Sequence, residues 1–150
     1  MNWTVVLAIV LGLAAAFKTM AGDRRADDRR VDLQRAEAVA EATLTAHRAA
    51  ELWVSANPGA SGAVPLSGTQ GRRIDGISAC VTASRVATWV AERSGAPAGA
   101  VADAMRARLG GWPAAGIALT GRVLAGMEDR GVLPCDVPDG APVVVTTVPG

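Results

Sequence analysis

Few side chains in this sequence of 150 residues could do chemistry, and their spacing predicts no catalytic centre. His47 is the only histidine, and no cysteine, aspartate or second histidine stands at ligand spacing from it. Ser78, Thr82 and Ser84 lie near Cys80, but the sequence has no G-x-S-x-G motif and no second histidine to act as a base. We therefore interpret His47 as a surface residue, and we expect neither a catalytic residue nor enzymatic activity.

The two cysteines, Cys80 and Cys135, are the next candidates. An even pair fits one disulfide in an oxidising compartment, although two buried thiols would look the same in sequence. A metal site would need close pairs with further ligands, so we predict no bound metal. We predict that Cys80 and Cys135 face the periplasm and pair as a disulfide.

The remaining polar motifs are typical of turns. Gly110-Gly111-Trp112-Pro113 lacks the Lys-Ser/Thr that follows a phosphate-binding glycine loop. Asp136 and Asp139 flank Val137-Pro138 as turn formers, and Arg72-Arg73 indicates an exposed loop. No cofactor is predicted. A net charge of +1 without a basic stripe among aromatics also argues against nucleic-acid binding.

A long apolar run in front of these residues predicts a membrane anchor over residues 1–22. Residues 3–17 read WTVVLAIVLGLAAAF, and Lys18 is the single charged side chain of the segment. As a helix the segment would be about 33 Å long, against a bilayer core of about 30 Å. A cleaved signal peptide and a buried helix are the alternatives, but no basic residue precedes the run, as a signal peptide would require. We expect a retained anchor.

The orientation of this anchor stays open from the residues alone. Five arginines between Arg24 and Arg35 follow the run, and by the positive-inside rule they would hold the C-terminal part in the cytoplasm. The cysteine pair favours the periplasm instead. Asp27 and Asp28 nearly neutralise the arginine cluster, which is typical of a solvated helix with some contact to lipid headgroups.

Residues 23–57 predict an amphipathic helical stalk, since they contain neither proline nor glycine. Its apolar stripe has steps of three and four residues: Leu33, Ala36, Val39, Ala40, Ala42, Ala46, Ala49 and Trp53. We expect Val39 and Trp53 to pack on the protein's own sheet and Ala36 and Ala40 to contact partner helices. His47 falls in the polar sector. The helix should end at Asn57-Pro58-Gly59.

Beyond a Gly-, Ser- and Pro-rich linker (58–76), residues 77–150 predict a small head domain. Its elements are one or two strands in 77–90, a helix over 98–109, a hairpin over 117–124 and a strand over 143–148. The whole chain is therefore predicted as an α+β fold, a long anchored helix followed by a pilin-like head with an antiparallel sheet and one short helix.

This order of elements resembles the short PilM family of thin-pilus biogenesis proteins, which is distinct from the actin-like protein of the same name. The closing segment carries the most specific motif, LP-x-x-(I/V)-P-(D/E)-G-x-x-V-V, in residues 133–144. The resemblance implies a non-catalytic inner-membrane component of type IV pilus assembly, used in conjugation, whose partners are other pilus assembly proteins. Self-association stays open.

Two alternatives remain. The first is a minor pilin-like subunit of the fibre, although no glutamate precedes Glu37, whereas a processed prepilin would carry one near its mature start. The second is a membrane-anchored accessory protein of another secretion system.

Overall fold

One helix accounts for the first third of the chain. The computed structural model describes residues 3–66, 76–91, 94–110 and 114–149, and within this helix it describes side chains from Ala26 onward. Helix α1 spans Trp3–Ala56 and stops where Asn57-Pro58-Gly59 begins, because proline cannot continue a helix. The chain divides into two units, Met1–Gln34 and Arg35–Gly150.

The first unit is helical and solvated where its side chains are described. From Ala26 to Gln34 only Asp32 is partly buried, and both Val31 and Leu33 are exposed. Among the described residues no helix is long and apolar enough to cross a membrane. The predicted anchor, residues 1–22, falls where side chains lie outside the described part of the chain.

The second unit combines the end of α1 with seven strands and one short helix. The strands are β1 (Gly62–Ala63), β2 (Ile77–Thr82), β3 (Arg85–Val90), β4 (Ala114–Leu119), β5 (Arg122–Ala125), β6 (Glu128–Val132) and β7 (Pro142–Thr147), and helix α2 is Ala98–Leu109. Their order in the sheet is β1-β2-β3-β7-β4-β5-β6, with every neighbouring pair antiparallel. The predicted α+β class with an antiparallel sheet is confirmed.

Local patterns predicted most of these elements. Helix α2 has the predicted bounds, and Gly110 ends it in the left-handed conformation that glycine adopts without strain. The segment 77–90 forms two strands, and the predicted hairpin and final strand are β4–β5 and β7. Two strands were missed: β1, which lies inside the predicted linker, and β6, whose charged sequence lacks a strand pattern.

The last strand in sequence lies in the middle of the sheet, between β3 and β4. Its residues Pro142–Val145 are all buried, as expected for a strand covered on both faces. The end of α1 and helix α2 cover one face, here called the helix side. The loop of residues 133–141, here called the strap, packs on the opposite face, the back face.

The sheet is curled. Arg85 on β3 donates a hydrogen bond to the backbone carbonyl of Val132 at the end of β6, 2.6 Å away. In a flat sheet these strands would lie about 19 Å apart, beyond the reach of one side chain. Where Val123 and Leu124 of β5 pair with Gly131 and Asp129, Arg130 is an extra residue in β6, and this bulge bends β6. Gly116 permits the bend, because a Cβ atom there would collide with the carbonyl oxygen of Leu124.

Candidate functional site

The helix-side interface buries the only histidine of the sequence. His47 is 3% exposed, and the buried stripe of α1 runs through it at alternating steps of four and three residues: Ala36, Ala40, Thr43, His47, Ala50 and Val54. The prediction of a surface histidine is therefore wrong. Two polar residues lie inside this stripe, and a search for apolar periodicity passes over them.

Four side chains form a hydrogen-bonded chain at this point. The Nδ1 atom of His47 is 2.9 Å from Oγ1 of Thr88 on β3, and its Nε2 atom is 2.9 Å from Oγ1 of Thr146 on β7. The Thr146 hydroxyl donates to Oε1 of Glu51 at 2.6 Å. Sequence reasoning could not find the two threonines, because the register of the strands brings them to the helix.

The Glu51 carboxylate can only accept hydrogen bonds, and this determines which atoms donate in the series of hydrogen bonds. Because the Thr146 hydroxyl donates to Glu51, its oxygen must accept the hydrogen bond from Nε2 of His47. In a neutral imidazole this places the single ring proton on Nε2, and Nδ1 then accepts from the Thr88 hydroxyl. Each donor has one acceptor, so the buried polar groups are satisfied with a neutral histidine.

Burial keeps His47 neutral. Desolvation lowers its pKa from 6.5 to about 4, against the opposing effect of the Glu51 carboxylate, whose Oε1 is 3.5 Å from Nε2. A hydroxyl beside an imidazole is the pairing of a nucleophile with a base. Thr88 is fully buried, however, so no substrate can reach its hydroxyl in this structure. The arrangement fixes the helix to the sheet.

The predicted partner contacts, Ala36 and Ala40, also lie in the interior. They are 1% and 0% exposed and pack against Val101 and Met105 of α2 and Val144 of β7. The prediction that they face partner helices is corrected, because α2 occupies the surface they would have offered. Glu41 and Arg108 add an exposed ion pair between the two helices at 3.3 Å.

Val39 and Trp53, the predicted head-packing residues, are partly buried. Val39 packs beside the cluster under α2, and Trp53 packs beside a second cluster that includes Val54 and Val81. Each lies one position before a buried residue, Ala40 and Val54 respectively. One residue corresponds to about 100° around a helix, so the true contact stripe is rotated from the predicted one.

The cysteines meet on the back face. Cys80 of β2 and Cys135 of the strap are paired as a disulfide, with their Cα atoms 6.6 Å apart. Asp139 fastens the end of the strap by accepting a hydrogen bond from the Thr120 N–H at 2.7 Å. No group of three or more acidic, cysteine or histidine side chains that could hold a metal occurs among the described residues.

Polar groups occupy the exposed edge strand β6. The Gly131 N–H donates a hydrogen bond to Oδ1 of Asp129 at 2.9 Å, and the Arg85 guanidinium donates one to the Val132 carbonyl. Hydrogen bonds from Arg122 and from Gly131 hold the pKa of Asp129 below its ordinary value. The opposite edge, β1, has only two residues. Such short or capped edges discourage pairing with a strand of another chain.

The fold is an α+β head domain. The last turns of helix α1 pack on one face of its antiparallel sheet, and the disulfide-bonded strap packs on the other. The family model described as PilM matches residues 9–145, and the chain therefore belongs to the PilM family. The predicted resemblance is confirmed. Membership indicates a part in pilus biogenesis and, in general terms, contact with the pilus assembly machinery. No curated protein and no solved structure matches the chain.

Proposed function

We propose that this protein is a non-catalytic, single-pass component of the bacterial inner membrane that supports assembly of a type IV thin pilus, and thereby conjugation. The observation that carries the proposal is the PilM match over residues 9–145. The match begins inside the apolar run and ends in β7, so it covers residues 9–22 of the proposed anchor, the stalk and most of the head. Residues 1–22 serve as the anchor, and the partners are other pilus assembly proteins and membrane lipid.

The periplasm is the proposed location of the head. The disulfide between Cys80 and Cys135 supports this side of the membrane, because disulfides persist in oxidising compartments. The arginines after the apolar run favour the opposite orientation. Asp27 and Asp28 do not cancel them in that rule, which counts basic residues. We base the proposed orientation on the disulfide, because a disulfide needs an oxidising compartment to persist.

A non-catalytic role is supported by the position of the only histidine. Both of its ring nitrogens are engaged by threonine hydroxyls in a buried interface. The two carboxylates of the closing motif, Asp136 and Asp139, lie in the strap, where Asp139 caps a turn. His47 and Asp139 therefore make contacts that hold the fold together, and no proposed step in pilus assembly requires either side chain to react.

Deletion of the gene tests the proposal. Thin pili counted by electron microscopy and the frequency of conjugal transfer should both fall, and the full-length chain should restore both. A chain without residues 2–22 should fail to restore them, whereas a chain that carries an unrelated membrane helix in their place should succeed. Normal piliation and transfer after deletion would refute the proposed role.

A minor pilin-like subunit is the second candidate, and one observation favours it. The end of α1 packs along an antiparallel sheet, an arrangement suited to a subunit that presents its helix inside a fibre. Immunoblots of sheared pili separate the two functions. The protein should stay with the cell membrane if it assembles the pilus and appear in the sheared fraction if it is incorporated.

A further inference from the structure

The back face of the sheet depends on the strap for its cover. Its buried residues come from β2, β3, β4, β5 and β7, and they meet three buried strap residues, Leu133, Val137 and Ala141. In the described part of the chain no helix residue belongs to this cluster. The apolar back face would therefore meet water if the strap moved away.

Hydrogen bonds hold the strap only at its two ends. Leu133 donates its N–H to the Gly121 carbonyl at 2.8 Å, and Gly140 donates to the Ala118 carbonyl at 2.8 Å. Ala118 in turn donates to the Ala141 carbonyl at 2.9 Å. Among the described residues, no backbone hydrogen bond joins positions 134–137 to the sheet. Proline at 134 and 138 removes two backbone donors from this stretch.

The disulfide fastens the middle of the strap. Cys135 lies two residues before the buried Val137, and it ties this stretch to Cys80 on β2. The bond joins residues 55 positions apart. It also crosses from the β6 end of the sheet, where the strap begins, to the strand beside the opposite edge. No other covalent link within the described residues connects the strap to that side of the sheet.

We propose that the Cys80–Cys135 disulfide is a redox-controlled latch for the strap. With the bond closed, the strap covers the back face. Reduction frees residues 134–138 and exposes apolar sheet residues such as Val143 and Val145. The helix side persists, because its two clusters contain no strap residue. This inference holds whether or not the protein acts in pilus assembly.

The chemistry is thiol–disulfide exchange. A thiolate of a dithiol reductant attacks one sulfur of the disulfide and forms a mixed disulfide, and the released cysteine sulfur takes up a proton. The second thiolate of the reductant then displaces the remaining cysteine sulfur, which is protonated in turn. Two electrons pass to the protein, and the reductant leaves as its own disulfide. Closure is the reverse reaction with a disulfide oxidant.

Hydrogen exchange of the full-length protein, followed by mass spectrometry with and without dithiothreitol, tests the latch. Peptides covering residues 133–141 should exchange about tenfold faster or more after reduction, as expected for local opening. Peptides covering residues 40–54 should keep their rate. The double variant Cys80→Ala/Cys135→Ala should show the fast strap without reductant and should not respond to it.

Three results would overturn the latch. Unchanged exchange in the strap after full reduction would show that its ends hold it without the disulfide. Equal acceleration of the strap and residues 40–54 would show that the bond supports the whole fold. Free thiols in full-length protein purified from cell membranes without reductant would show that the latch does not close in the cell. None of these readouts depends on piliation.

Discussion

His47 shows how one buried side chain can make stability depend on pH. Its pKa is lowered to about 4 in the folded protein, against 6.5 for an ordinary histidine. Between these values the unfolded chain binds more protons than the folded one, so stability rises with pH across this window. The stability that comes from keeping His47 neutral is fully present above about pH 6.5 and is lost as the pH falls through 4. The carboxylate that faces His47 is that of Glu51.

We therefore expect the full-length protein to lose about 3 kcal/mol of unfolding free energy between pH 6.5 and 4. Urea denaturation at a series of pH values measures the loss. His47→Gln should lower stability at pH 7, because the replacement cannot fit both threonines, and should flatten the slope in this window. An equal slope in the variant would assign the pH dependence to other groups.

Two hairpin turns share one backbone conformation but differ in whether glycine occupies the second position. Ala83-Ser84 joins β2 to β3 with φ of 48° and 65°, and Thr120-Gly121 joins β4 to β5 with φ of 48° and 73°. Both residues of each turn are in the left-handed region, where glycine alone is free of a Cβ penalty. Position 84 therefore carries a cost that position 121 avoids.

Ser84→Gly should raise stability by about 1 kcal/mol, and Gly121→Ser should lower it by a similar amount. Thermal unfolding of both variants beside the parent measures the pair. A loss of stability in Ser84→Gly would mean that the serine side chain contributes more than the turn conformation costs.

The packing of helix α1 depends on which of its sides faces α2 and the sheet. Ala40 is fully buried against α2, whereas Ala38, two residues earlier, is exposed on the opposite side of the helix. Both are alanines in the same helix, so the same substitution changes helix propensity equally at the two positions. A difference between the two variants therefore reports the effect of packing.

Ala40→Leu should destabilise the protein by about 1–3 kcal/mol, because there is no space for three more carbons between α1 and α2. Ala38→Leu should change stability by less than about 0.5 kcal/mol, as expected for an exposed site. Chemical denaturation gives both values. Equal effects would contradict the packing described for α1 and restore Ala40 as a possible partner contact.

For the whole molecule, fusions to both termini test the proposed membrane topology. With the anchor retained and the head in the periplasm, alkaline phosphatase fused after Gly150 should be active, and the full-length protein should fractionate with the inner membrane. A fusion placed before Met1 should be inactive and serves as the control. The reverse pattern would mean that the positive-inside rule had determined the orientation.

The elements that depend on local chemistry can be predicted from the sequence alone. Helix α2, the β2–β3 segment and β7 follow from periodicity, β-branched residues and glycine or proline at their ends. The absence of proline and glycine from residues 23–57 likewise predicted the continuous helix. These features are set by neighbours within a few residues, and a pattern search reads them directly.

The buried side of α1, in contrast, depends on contacts with strands that are distant in sequence. The apolar pattern predicts that Val39 and Trp53 face the sheet. In the structure His47 is buried there instead, because the hydroxyls of Thr88 and Thr146 form hydrogen bonds with both of its ring nitrogens. The partners come from strands 41 and 99 residues away in sequence. A polar residue becomes a core residue when distant strands satisfy its hydrogen bonds, and strand register, which sequence patterns leave open, fixes those partners.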